Sequence, residues 1–162
     1  MCQATSNLAP RRLALSLQPR NPRWHRLLAK LFNRRGNGEA ARGEYRAAAQ
    51  LVGKQLEVNP GSENLEMWLA LDLADAGDCG EALPLIRRLE ASLQPTSMNS
   101  WDIARVYALC DRRAPALAAI QRAVEQGHPA ADIPLQEEFK TLLNEPALKK
   151  LTQTAPRNPR ND

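Results

Sequence analysis

The chain has 162 residues, 43% of them hydrophobic, which suits one domain with a sizeable core and excludes a disordered polymer. Aromatics are only 4% and alanine is abundant, so small side chains between closely packed helices are favoured over a sheet. The net charge of +4 hides a polarity: residues 1–56 carry eleven Lys and Arg against Glu39 and Glu44, and the remainder is acidic by five. Such polarity steers acidic partners or lets copies attract head to tail.

Residues 1–8 are expected to be disordered. Residues 1–38 hold eight Arg and Lys and no acid, which keeps a transit peptide as a minor alternative. Leu13-Ala-Leu-Ser-Leu17, closed by Pro19, predicts one helix over 9–18 in a partial unit 9–21. That helix is either a lone cap or the tail of a preceding array.

From Pro22 onward a pattern recurs. Leu73-Ala-Asp-Ala-Gly-Asp-Cys-Gly-Glu-Ala82 aligns, 34 residues on, with Tyr107-Ala-Leu-Cys-Asp-Arg-Arg-Ala-Pro-Ala116. Upstream, Ala29 precedes Gly36 as Ala70 precedes Gly77, and Phe32 matches Leu73. The units are 22–62, 63–96 and 97–130, the first seven residues longer. Seven residues is about two helical turns, so a longer second helix would keep its buried face in register; a loop is the alternative. Each unit has a helix stop and a new start: Gly36 and Gly77 accept the left-handed conformation, and Asn37, Asp78 and Asp111 are expected N-caps. Asp78 with Glu81 has capping-box spacing. Pro115 fits a first turn, whereas Pro84 lies deeper and is expected to shift or bend its helix.

Small residues at the helix crossing (Ala29, Ala70, Ala104), small residues early in the second helix (Ala41, Ala82, Ala116), a large apolar residue before the turn (Phe32, Leu73, Tyr107) and a closing proline (Pro60, Pro95, Pro129) recur together. With a period of 34, this set resembles the tetratricopeptide repeat family over 22–130. Departures from its pattern are His25, Glu66 and Ser100 at the usual Trp position, Leu28, Leu69 and Ile103 where glycine is usual, and Asp111 at a turn glycine. The resemblance implies an all-α, right-handed superhelix of helix–turn–helix repeats occupying 9–152, with a closing cap over 131–152. In that cap Ile133, Leu135, Phe139, Leu142, Leu143, Leu148 and Leu151 would cover the last repeat, with Asn144 as N-cap before Pro146. Residues 153–162 form a polar tail, expected to be disordered.

No catalytic constellation stands out. The P-loop, dinucleotide, nucleophile-elbow and zincin motifs are absent. His25 and His128 read as solvated surface, and Cys79 and Cys110 as small buried fillers. Three cysteines without a C-x-x-C make a disulfide framework or zinc site unexpected, and a reducing cytoplasm the default. No apolar run reaches the ~20 residues a membrane helix needs.

What remains is a binding surface. In the family, first helices line a concave groove that holds a partner segment. By the repeat alignment this groove receives Arg23, Arg26, Lys30, Asn33 and Arg34 from the first unit. Asn64, Met67, Leu71 and Asp75 come from the second, and Met98, Trp101, Arg105 and Leu109 from the third. Trp101 with Met67 and Met98 would anchor an apolar side chain, and the arginines would pair with carboxylates. The alternatives are that Trp101 packs in the core and the arginines form a solvated face. The chaperone-tail clamp of some members is unmatched, because its basic pair falls on Met98 and Asp102. The expected function is a non-enzymatic scaffold for a protein or peptide partner, acidic with an apolar anchor, without cofactor, metal or membrane span. Two other readings compete. One is the regulatory or sensory end of a larger kinase or transcription regulator. The other is nucleic-acid association through the basic N-terminal portion, disfavoured by the scarcity of aromatics for stacking.

Overall fold

A computed structural model describes residues 20–92, 94 and 96–154. Helix α1, Pro22–Arg34, starts where Asn21 Oδ1 accepts the Arg23 N–H at 3.0 Å and Pro22 supplies a first turn that needs no donor. Asn37 caps α2, Gly38–Val58, by accepting the Ala40 N–H at 3.1 Å, and Ser62 caps α3, Glu63–Ala76. Helix α4, Cys79–Ser92, runs on through Pro84 without a break. Thr96 caps α5, Ser97–Leu109, and α6 follows over Arg113–Glu125. Two 3₁₀ segments, Ala130–Leu135 and Glu137–Leu142, lead to α7, Pro146–Thr154. Every regular element among the described residues is helical.

The extra seven residues of the first unit are helical: α2 has 21 residues, against 14 in α4 and 13 in α6. One turn geometry ends α1, α3 and α5. Gly36, Gly77 and Asp111 take φ of +73°, +88° and +53°. In each case the next residue (Asn37, Asp78, Arg112) donates its N–H to the carbonyl of Phe32, Leu73 or Tyr107, at 2.8–2.9 Å. These bonds occupy carbonyls that the helix leaves unsatisfied. Asp111 is therefore not the N-cap of α6. It holds the left-handed position that glycine fills in the other two turns, and Arg112, which makes no side-chain cap, stands before α6.

The chain divides between Leu85 and Ile86 into two compact units. In the first, α2 packs against both α1 and α3. Ala29, Ala41, Tyr45 and Ala76 form a buried cluster with Phe32 against it, so three methyl groups sit where large side chains would hold the helices apart. In the second unit α5 packs on α6 and on the segment Glu137–Leu142, while α7 contacts α6 and the segment Ala130–Leu135. Ile133, Phe139, Leu142 and Leu148 are buried there, but Leu135, expected to help cover this end, is exposed. Glu145, not Asn144, directly precedes α7, and its carboxylate takes the Arg113 guanidinium at 2.7 Å.

All six small residues, Ala29, Ala41, Ala70, Ala82, Ala104 and Ala116, are 0–1% exposed. Ala70→Phe is expected to overpack its contact and cost about 1–3 kcal/mol, read as a lower melting temperature; an unchanged melting curve would refute the tight contact.

Cys79 and Cys110 are half-buried and both disulfide-bonded, against the expectation of buried fillers. Spacing gave no hint of this, and it removes the cysteine argument for a reducing compartment. No described helix is long and apolar enough to cross a membrane. The partial unit 9–21, except its last two residues, lies outside the described residues, as do residues 1–8, Pro95 and residues 155–162. Residues 153–154, assigned to the tail, belong to α7.

Candidate functional site

The exposed face of the first unit is organised by Arg26. Its Nε and one terminal nitrogen donate to the two oxygens of Asp72 at 2.6 and 2.7 Å, linking α1 to α3. The same guanidinium lies 4.2 Å from the centre of the Trp68 ring. Asp72 is buried, and burial pushes its carboxyl above the usual aspartate range, with the hydrogen bonds and charge of Arg26 pulling it back. Trp68, in contrast, is 48% exposed, so its ring is supported on one side and open to solvent elsewhere.

On the α1 side of this pair the surface is basic, whereas α3 itself carries Glu63, Glu66, Asp72 and Asp75. Arg23, Lys30, Asn33 and Arg34 are exposed. Arg23, Arg26, Lys30 and Arg34 follow at steps of three, four and four, which places them on one stripe of α1. Arg23, Lys30 and Arg34 make no ion pair among the described residues. Asn64, one turn before Trp68, is exposed as well. The back of α1 is tied down separately: His25 Nδ1 and Glu44 Oε2 are 2.7 Å apart and both partly buried, so His25 is not a solvated surface residue. On α2, Arg46 makes two hydrogen bonds to Asp78, which hold that carboxyl below the usual range.

Several residues expected in the groove are core residues. Met67, Leu71 and Trp101 are buried. Trp101 cannot anchor a partner because its faces are taken: His128 stacks on it at 3.8 Å and Phe139 meets it edge-on at 5.1 Å. His128, also expected at the surface, is largely covered, and its Nε2 lies 3.5 Å from Asp132 without a hydrogen bond. Arg105 is occupied by Glu138 and Asp102. Burial raises the Asp102 carboxyl above its usual range, against the lowering effect of Arg105. Tyr107 donates to Glu90, and its phenol is pushed up to about 12, first by burial and then by that bond and charge. Met98 alone among the apolar residues named on α5 as anchors is exposed, at 59%. Leu109 is half-buried, as is Asp75 on α3.

An open cleft of about 720 Å³ lies beside the last turns of α2, lined by Leu51, Lys54, Val58 and Leu65. Its described lining is basic and amide-bearing at the rim, with Arg20, Lys54, Gln55 and Asn59 around the apolar Leu51, Val58 and Leu65. Among the described residues no group of three His, Cys, Asp or Glu could hold a metal ion. No family model matches the sequence, and neither does any curated protein.

The residue that sequence reasoning missed is Trp68. A phase argument was available. At about 100° per residue, setting Ala70 inward turns Trp68 about 160° away from the core and leaves Met67 only about 60° off it. The groove assignment chose Met67 from the repeat alignment and overlooked its neighbour.

Proposed function

We propose that this chain is a tetratricopeptide-type helical repeat protein that serves as a non-enzymatic scaffold for an acidic partner segment. One observation carries the reading. Three buried alanines, Ala29, Ala70 and Ala104, are each followed three residues later by the carbonyl that closes the turn (Phe32, Leu73, Tyr107). Nine residues beyond each of those comes another buried alanine, Ala41, Ala82 or Ala116. So regular a repeat in backbone bonding and small-residue placement supports a stacked-repeat reading, in which first helices align side by side. The Arg26–Asp72 bridge between α1 and α3 fits that alignment. The exposed basic stripe of α1 supplies the complementarity for carboxylates.

The test is charge reversal that spares the structural Arg26. With Arg23, Lys30 and Arg34 changed to Glu, helical circular dichroism is expected to persist. Proteins captured by the wild-type chain and identified by mass spectrometry are expected to be lost. Retention of the whole captured set would refute the reading. Capture of nucleic acid in place of protein would favour the competing one.

A further inference from the structure

We infer that Trp68, stacked on Arg26, is an aromatic anchor site, and that its occupant is an acidic protein segment carrying one aromatic side chain. The inference rests on the scaffold reading above and specifies its ligand. Trp68 is a large apolar ring left half-exposed in a unit whose other aromatics are withdrawn: Trp24 and Phe32 are half-buried and Tyr45 is buried. Its orientation is not left to chance. Arg26 supports the ring, and Arg26 is itself fixed by two hydrogen bonds to buried Asp72. A ring held this way loses little freedom when a second ring packs on it, which is the condition for an efficient anchor.

The charge of the occupant is set from the α1 side, since α3 carries Glu63, Glu66 and Asp75 and no basic residue. Arg23, Lys30 and Arg34 run along the helix that carries Arg26, and α1 has no acidic residue. Arg23 to Arg34 spans eleven residues, roughly 16 Å along the helix. An extended segment of about five residues covers that length. Carboxylates along it meet the stripe while one aromatic side chain reaches Trp68. A single-stranded nucleic acid would use the same charges. Its bases, however, stack on successive rings, and this face presents one.

The probes are two fluorescently labelled hexapeptides, five acidic residues with either one phenylalanine or one alanine, titrated into the full chain at low salt and followed by anisotropy. The phenylalanine peptide is expected to bind about three- to tenfold tighter than the alanine peptide. Trp68→Ala is expected to abolish that preference while weak binding of both peptides persists, and Trp68→Phe to restore most of it. Arg23→Glu with Lys30→Glu is expected to weaken both peptides alike, by about two- to fivefold for each charge removed. Equal binding of the two peptides to the wild-type chain would overturn the anchor and leave the scaffold reading standing. So would a preference that survives in Trp68→Ala. If neither peptide binds, or a 12-nucleotide oligothymidine binds more tightly than both, the anchor site for acidic segments is refuted; the capture experiment judges the scaffold reading separately. Trp68 is half-exposed, so an unchanged melting temperature for Trp68→Ala keeps a folding defect apart from a binding one.

Discussion

Asp72→Ala is expected to destabilise the chain by about 3 kcal/mol, measured by urea unfolding at neutral pH. Removing one partner of a buried ion pair costs about 3–5 kcal/mol because the other charge is left without compensation. The lower end applies because the Arg26 side chain keeps 16% exposure and can recover some hydration. The converse change, Arg26→Met, strands a carboxylate in the core, and its pH response has a definite sign. The folded-state pKa of Asp72 already lies above the usual range because burial outweighs Arg26, and removing Arg26 raises it further. A raised carboxyl binds protons more tightly in the folded state. Its contribution to stability is fully present below the unfolded pKa and is lost as pH rises through the folded pKa. Arg26→Met should therefore regain stability on acidification more than the wild type does. Asp78, whose carboxyl is lowered by Arg46, works in the opposite direction and loses its contribution as pH falls through its folded pKa. Replacing both partners, Arg26→Met with Asp72→Leu, should be close to neutral. If Asp72→Ala unfolds with the wild type, the pair has no structural weight.

Phe139→Ala is expected to cost about 3–5 kcal/mol, or roughly 6–20 °C in melting temperature. Phe139 is fully buried, and its edge contact with Trp101 joins the segment Glu137–Leu142 to α5. That segment is 3₁₀, a geometry with poorer hydrogen bonds than an α-helix, so its side chains carry most of its attachment. Losing the ring should also free Trp101, read as a loss of near-ultraviolet circular dichroism. Phe139→Leu should retain most of the stability, because the cavity it leaves is smaller. A melting curve for Phe139→Ala that overlays the wild type would show the segment to be dispensable.

The helical class and the placement of helix ends were legible because they depend on local chemistry. Asn37 caps, Gly36 and Gly77 turn, and the recurring alanines are buried, as read from the sequence, whereas Asp111 turns and does not cap. The candidate face was only partly legible, for a reason of phase. Arg26, Met67 and Trp101 stand three residues before Ala29, Ala70 and Ala104, and so flank the inward side of their helices by about 60°. All three are covered to a large degree. The repeat alignment names equivalent positions, but which of them stay outside depends on neighbours that it does not describe. The ion pairs joining distant residues, Arg26 with Asp72 and Arg105 with Glu138, were invisible for the same reason. His128 was misjudged because a Gly-His-Pro turn looks exposed until Trp101 is seen beneath it.

The six buried alanines, three at the helix crossings and three early in the second helices, divide the chain into parts with different freedom to vary. At these positions any larger residue adds volume where none is available, and glycine weakens the helix by about 1 kcal/mol. Alanine is thus close to a unique solution at each. The outward stripe of α1 has no such restriction, since Arg23, Lys30 and Arg34 are exposed and make no ion pair among the described residues. On the scaffold reading proposed above, surface substitutions alone would rewrite specificity, with the buried alanine contacts left as they are.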